Sequence, residues 1–163
     1  MKTVKTFIFI ITIFLFYSSV IFAQNIKPEN VVDISSKSAI DKTKEGKEVT
    51  LNIILSIKDT WHINANEPLD ESLTPTVVKF DQSRDYAVQS VKYPPAEMVK
   101  LSFSNNDLAV YEMQATIRTK LFVGKTYKGG KLTVEGTLQY QPCNDQTCLF
   151  PISKPFSLEI KLK

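Results

Sequence analysis

Two residues of this chain are equipped for covalent chemistry with other proteins. Cys143 and Cys148 are its only cysteines, separated by Asn144-Asp145-Gln146-Thr147. In an oxidising compartment such a pair closes into a disulfide, which can pass two electrons to or from another dithiol by thiolate attack. Closing so short a loop stabilises a fold by about 2 kcal/mol on the chain-entropy model, against nearly ~5 kcal/mol for a loop of ~100 residues. A bond between such neighbours is a weak staple. Across a tight hairpin it can also be strained and more readily reduced. Pro142 and Pro151 flank the pair and stiffen the chain on both sides. Spacing alone leaves an inert structural disulfide open as the alternative.

Other chemistries fit less well. The two thiols and His62, the single histidine, supply at most three metal ligands, none at zinc-motif spacing, so no metal is expected. A thioredoxin-type motif needs C-x-x-C opening a helix, where the dipole lowers a thiol pKa. Here the spacer is longer and its surroundings read as strand. Asp145, inside the loop, disfavours a thiolate. The domain is therefore not expected to activate its own thiol strongly, and a partner's thiolate is expected to attack first. Exchange of this kind needs no cofactor, because the cysteines carry the electrons.

The elements that hold this loop read as strands and turns. Val49, Leu51, Ile53, Leu55 and Ile57 are apolar at every second position, the period of a half-buried strand. Phe156, Leu158, Ile160 and Leu162 alternate as cleanly. Further strands are expected over 31–40, 76–80, 87–93, 110–121 and 131–141. Turn residues divide them, among them Lys44-Glu45-Gly46, Pro94-Pro95, Ser104-Asn105-Asn106-Asp107 and Lys128-Gly129-Gly130. No stretch carries helical apolar spacing with caps. About seven short strands predict an all-β, immunoglobulin-like antiparallel sandwich.

The first residues address the compartment. Lys2 and Lys5 precede the apolar run FIFIITIFLF, and small or polar residues follow before Ala23. Residues 1–23 thus read as a secretory signal peptide, with 24–163 as a single domain. An uncleaved anchor is the alternative, since 7–23 is an uncharged stretch close to the lower limit for a spanning helix. The leader takes two of 20 basic residues and none of the 17 acidic ones, leaving the remainder nearly neutral. No basic run or basic-aromatic stripe suggests nucleic acid.

Residues Tyr140 to Pro151, YQPCNDQTCLFP, resemble the cysteine segment of the N-terminal periplasmic domain family of DsbD, the thiol–disulfide interchange protein. Trp61-His62-Ile63-Asn64 resembles that family's aromatic-rich strand end. Leu101-Ser102-Phe103, followed by Val110-Tyr111-Glu112, resembles its cap loop and succeeding strand. The likeness spans essentially the whole chain after the leader, and its cysteine segment is the specific part. It implies an immunoglobulin-like periplasmic domain that relays electrons from a membrane-linked donor to thioredoxin-fold client proteins. Cys148 matches the cysteine that forms mixed disulfides, Cys143 the one that resolves them, and Phe103 an aromatic that shields the bond. Departures accompany the match. Leu101 and Ser102 stand where well-known members carry acidic residues. The cysteine spacer is one residue shorter than in some members. The family's membrane domain is not in this sequence, so a separate donor is expected.

Three further residues lie near these motifs. Trp61 reads first as core. His62, on the opposite face if the strand continues, reads first as solvated or hydrogen-bonded, and second as a proton donor near the thiols. Tyr140 reads equally as packing or as ligand contact. The protein is expected to be a monomer, and the rival to exchange is a non-enzymatic binding module: the same sandwich with an inert disulfide, holding a protein partner by an edge strand or loops.

Overall fold

The computed structural model describes residues 26–102 and 104–162. The leader, and with it the choice between signal peptide and anchor, lies outside the described residues, as does Phe103. After a 3-10 turn at Pro28–Asn30 come eleven strands: β1 Val32–Lys42, β2 Gly46–Ile57, β3 His62–Asn64, β4 Val77–Phe80, β5 Ala87–Lys92, β6 Glu97–Val99, β7 Leu108–Glu112, β8 Gln114–Gly124, β9 Lys131–Tyr140, β10 Pro142–Cys143 and β11 Ile152–Lys161. All pairings are antiparallel. The expected all-β, immunoglobulin-like sandwich is what the chain forms.

One sheet has the order β1-β2-β8-β5 and another β11-β9-β4. Alternation explains their packing. On β2 the buried positions are Val49, Leu51, Ile53, Leu55 and Ile57, and on β8 they include Ala115, Ile117, Leu121 and Val123. Leu132, Val134, Leu138 and Tyr140 of β9 join them with Phe156, Leu158 and Ile160 of β11 in one apolar core. Period-2 patterns bury one face of each sheet, and that burial drives the two layers together. Gly136 belongs to the same economy of space: a Cβ there would sit 2.3 Å from the Lys79 carbonyl oxygen on β4.

The third sheet, β10-β3-β7-β6, is small and was not separable in sequence. The apolar run expected as one strand over 110–121 is two strands. It breaks at Met113, whose φ of 49° lies in the left-handed region. Before the break the chain pairs in the small sheet; after it, in the large one. The partner corner, between β2 and β3, turns at Thr60 with φ 67°. The Ile57 amide donates to the Met113 carbonyl at 2.7 Å, tying the corners together. A further difference is β6 at Glu97–Val99, a short strand outside the ranges expected from the sequence.

Candidate functional site

The small sheet has two unlike faces. Ile63, Ala109 and Tyr111 point to the main core. Residues of the other parity, Val99, Leu108, Val110 and Cys143, form a separate apolar cluster with Leu101, Leu73 and Cys148. Paired residues in an antiparallel ladder share a face, so His62, paired with both Cys143 and Glu112, lies on this second face too. One row across the sheet therefore reads Cys143, His62, Glu112.

Cys143 and Cys148 are joined by a disulfide, S–S 2.03 Å. The hairpin around it is held by local bonds. The Leu149 amide donates to the Pro142 carbonyl at 2.8 Å and the Asn144 amide to the Thr147 carbonyl at 2.9 Å. Asn144 Oδ1 accepts from the amides of Gln146 and Thr147, each at 2.9 Å. Such an Asx-type turn is what asparagine favours. Gln141 braces the base of the loop. Its Oε1 accepts from Asn64 Nδ2 at 3.2 Å and the Thr74 amide at 3.0 Å, and its Nε2 donates to the Leu149 carbonyl at 3.3 Å.

The sulfurs are not equivalent. Cys143 is fully buried, at 0% exposure, whereas Cys148 is half-buried. Cys148 borders an open cleft of about 360 Å³ with Pro28, Gln141, Leu149, Phe150 and Pro151. Phe150 is 87% exposed there. Large apolar side chains so exposed are uncommon enough to mark contact surfaces.

The segment before Phe103 reaches the same loop. Leu101 is buried in the cysteine cluster, and the Ser102 hydroxyl donates to the Asp145 carbonyl. Ser104 closes the turn, its amide donating to the Leu101 carbonyl at 3.0 Å. The positions where acidic residues were missed thus hold an apolar plug and a hydrogen-bonded peg.

The remaining candidates separate. Trp61 is partly buried at the margin of the main core. Tyr140 is wholly buried in that core, away from the cysteine cluster, and its hydroxyl donates to the Pro28 carbonyl at 2.9 Å; burial pushes its pKa far up. His62 departs from the first expectation: it is 4% exposed, and its Nε2 has no hydrogen-bond partner among the described residues. Its Nδ1 lies 3.8 Å from a Glu112 carboxylate oxygen. Burial lowers the imidazole pKa below 6.5, with the charges of Glu112 and Asp145 acting in the opposite direction. Glu112, Gln141 and Phe150 fall within the segments that resemble the family but were not singled out as site residues. Gln141 and Phe150 lie two residues from a cysteine in the chain, and strand register places Glu112 in the row of Cys143 through His62. No group of metal-ligating side chains occurs among the described residues.

The sequence matches the family described as thiol:disulfide interchange protein DsbD, N-terminal, over residues 29–160, and the chain belongs to that family. Among solved structures, the N-terminal periplasmic domain of ScsB from Proteus mirabilis is similar at 16% identity and a TM-score of 0.52, covering 84% of this chain and 49% of that one. The reduced DsbD N-terminal domain from Neisseria meningitidis is also 16% identical, with a TM-score of 0.49 over 84% of this chain and 91% of that one. No curated protein matches the sequence.

Proposed function

We propose that this protein is an exported thiol–disulfide exchange domain that relays electrons between a membrane-linked donor and thioredoxin-fold clients. The observation that carries the reading is the asymmetry of the disulfide: one sulfur sealed in an apolar cluster, the other beside an open cleft. Attack by a partner thiolate is then directed to Cys148, with Cys143 as leaving group and, in the reverse step, as the resolving thiol. Family membership supports the chemistry. The exposed Phe150 beside Cys148 supports docking of a protein there rather than a small thiol. Periplasmic location follows the leader-like sequence of residues 1–23, and residues 24–163 act as one domain. No helix among the described residues is long and apolar enough to cross a membrane.

Trapping tests the reading. A Cys143→Ser protein exported in living cells should accumulate mixed disulfides through Cys148, whereas Cys148→Ser should trap few. Equal trapping by both variants would reverse or erase the assigned roles. A redox titration against glutathione completes the test. Equilibration within the glutathione range supports exchange, and a potential far below about −300 mV marks the bond as an inert staple.

A further inference from the structure

The row Cys143–His62–Glu112 places an imidazole between a buried sulfur and a carboxylate, on one face of one sheet. Three observations agree on this. The strand register pairs His62 directly with Cys143 and with Glu112. The apolar cluster on that face contains Cys143, and its members on neighbouring strands, Val99, Leu108 and Val110, have the parity of His62. The buried Nε2 lacks a partner, although an imidazole nitrogen out of water is costly without one. We infer that His62 is the proton acceptor and donor for the Cys143 thiol, held in position by Glu112.

The inference rests on the exchange reading above and supplies a step it lacks. When a client disulfide has been attacked by Cys148, the mixed disulfide is resolved by Cys143. A thiol buried in an apolar cluster ionises reluctantly. Cys143 passes its proton to Nε2 of the neutral imidazole, and the thiolate attacks the Cys148 sulfur. The Cys143–Cys148 bond forms and the bond from Cys148 to the client sulfur breaks. The electron pair leaves on the client thiolate, which is protonated from the imidazolium or from water. The cysteine pair is oxidised by two electrons and the client disulfide is reduced by two. In the opposite direction the imidazolium returns the proton to the departing Cys143 thiolate.

The surroundings suit a base rather than a permanent cation. Burial favours the neutral ring at neutral pH, and two carboxylates, Glu112 from β7 and Asp145 from the cysteine loop, stabilise the imidazolium when it forms. His62, Glu112 and Asp145 line a second cleft, distinct from the one beside Cys148, and the other charged groups along it are Lys58 and Asp59 before β3 and Lys100 after β6.

An aromatic disulfide, dithiobis-nitrobenzoate, separates the steps. Reduced protein should release one coloured thiolate as Cys148 reacts and a second as Cys143 resolves the adduct. In the wild type the second release should reach a plateau above the histidine pKa and stay nearly independent of pH through neutrality. His62→Gln should slow it about 100-fold near neutrality, the lower end of what a positioned base contributes. Its rate should then climb with hydroxide and approach wild type as the thiol ionises unaided. Glu112→Gln, at a half-exposed site, should keep the plateau but lower it and move its onset to more acidic pH. A second release with the same rate and pH profile in wild type and His62→Gln overturns the role of His62 and leaves exchange standing. Failure of reduced wild type to release the first thiolate overturns the exchange reading and this inference with it.

Discussion

Around the disulfide each residue does a separate physical task. Cys143 is fully buried and enclosed by Leu101, Leu108 and Val110, so its sulfur is shielded from solvent and from attacking thiols. Cys148 borders the cleft that carries Phe150. Phe103 is the residue whose part is least fixed by its neighbours' chemistry. Leu101 and Ser102 are anchored to the cysteine cluster and to the Asp145 carbonyl, which brings the segment leading to Phe103 onto the redox loop. If Phe103 covers the bond, as the family resemblance implies, sulfur–aromatic contact is worth roughly 0.3–1.5 kcal/mol. So small an energy suits a lid that a docking protein displaces. Phe103→Ala should then speed reduction of the oxidised protein by glutathione by about 2- to 10-fold, with little change in equilibrium potential. Stopped-flow reduction kinetics measure this, and an unchanged rate would remove the lid from the account.

At the scale of elements, the site exists because strands change partners. The β7–β8 run crosses from the small sheet to the large one at Met113, and β2 enters β3 through Thr60. Both residues have positive φ, and they flank the paired His62 and Glu112. Neither is glycine, so each holds a conformation that L side chains seldom adopt, at a cost of order 1–3 kcal/mol. Met113 is 74% exposed and has little packing to lose. Met113→Gly should therefore raise the free energy of unfolding by roughly 1 kcal/mol, net of glycine's greater freedom when unfolded, and Met113→Ile should lower it by roughly 1–2 kcal/mol. Urea denaturation reads both changes. A glycine variant less stable than wild type would show that the methionine side chain itself supports the corner.

For the molecule as a whole, the main core and the cysteine cluster are distinct bodies of apolar contact. The core joins the two larger sheets and contains neither cysteine. Opening the disulfide should therefore leave the sandwich standing. A loop this short contributes about 2 kcal/mol on the entropy model, which for a domain of this size corresponds to about 5–10 °C in Tm. Circular dichroism of the reduced protein should show β structure with a cooperative transition lowered by that much. Unfolding on reduction would instead assign the bond to stability.

The sandwich was legible in the sequence because burial on one face of a strand imposes period 2, and β2 and β11 carry it without interruption. The cysteine loop was legible because two thiols, two prolines and the turn residues between them are local chemistry. Register was not. A strand's alternation says which residues share a face, but not which strand lies beside it. His62 therefore read first as a solvated or hydrogen-bonded residue, and Glu112 only as part of a family-like strand, with nothing to join the two. The change of partners at Met113 was hidden because Tyr111, Met113, Ala115 and Ile117 keep the period-2 alternation across the break, while the positive φ of Met113 turns the backbone. Sequence by itself determined the layers, the chemistry of the loop and the family. Tertiary structure alone decided which sulfur is buried and that His62 is paired in register with Cys143, because both depend on cross-strand neighbours more than forty residues apart.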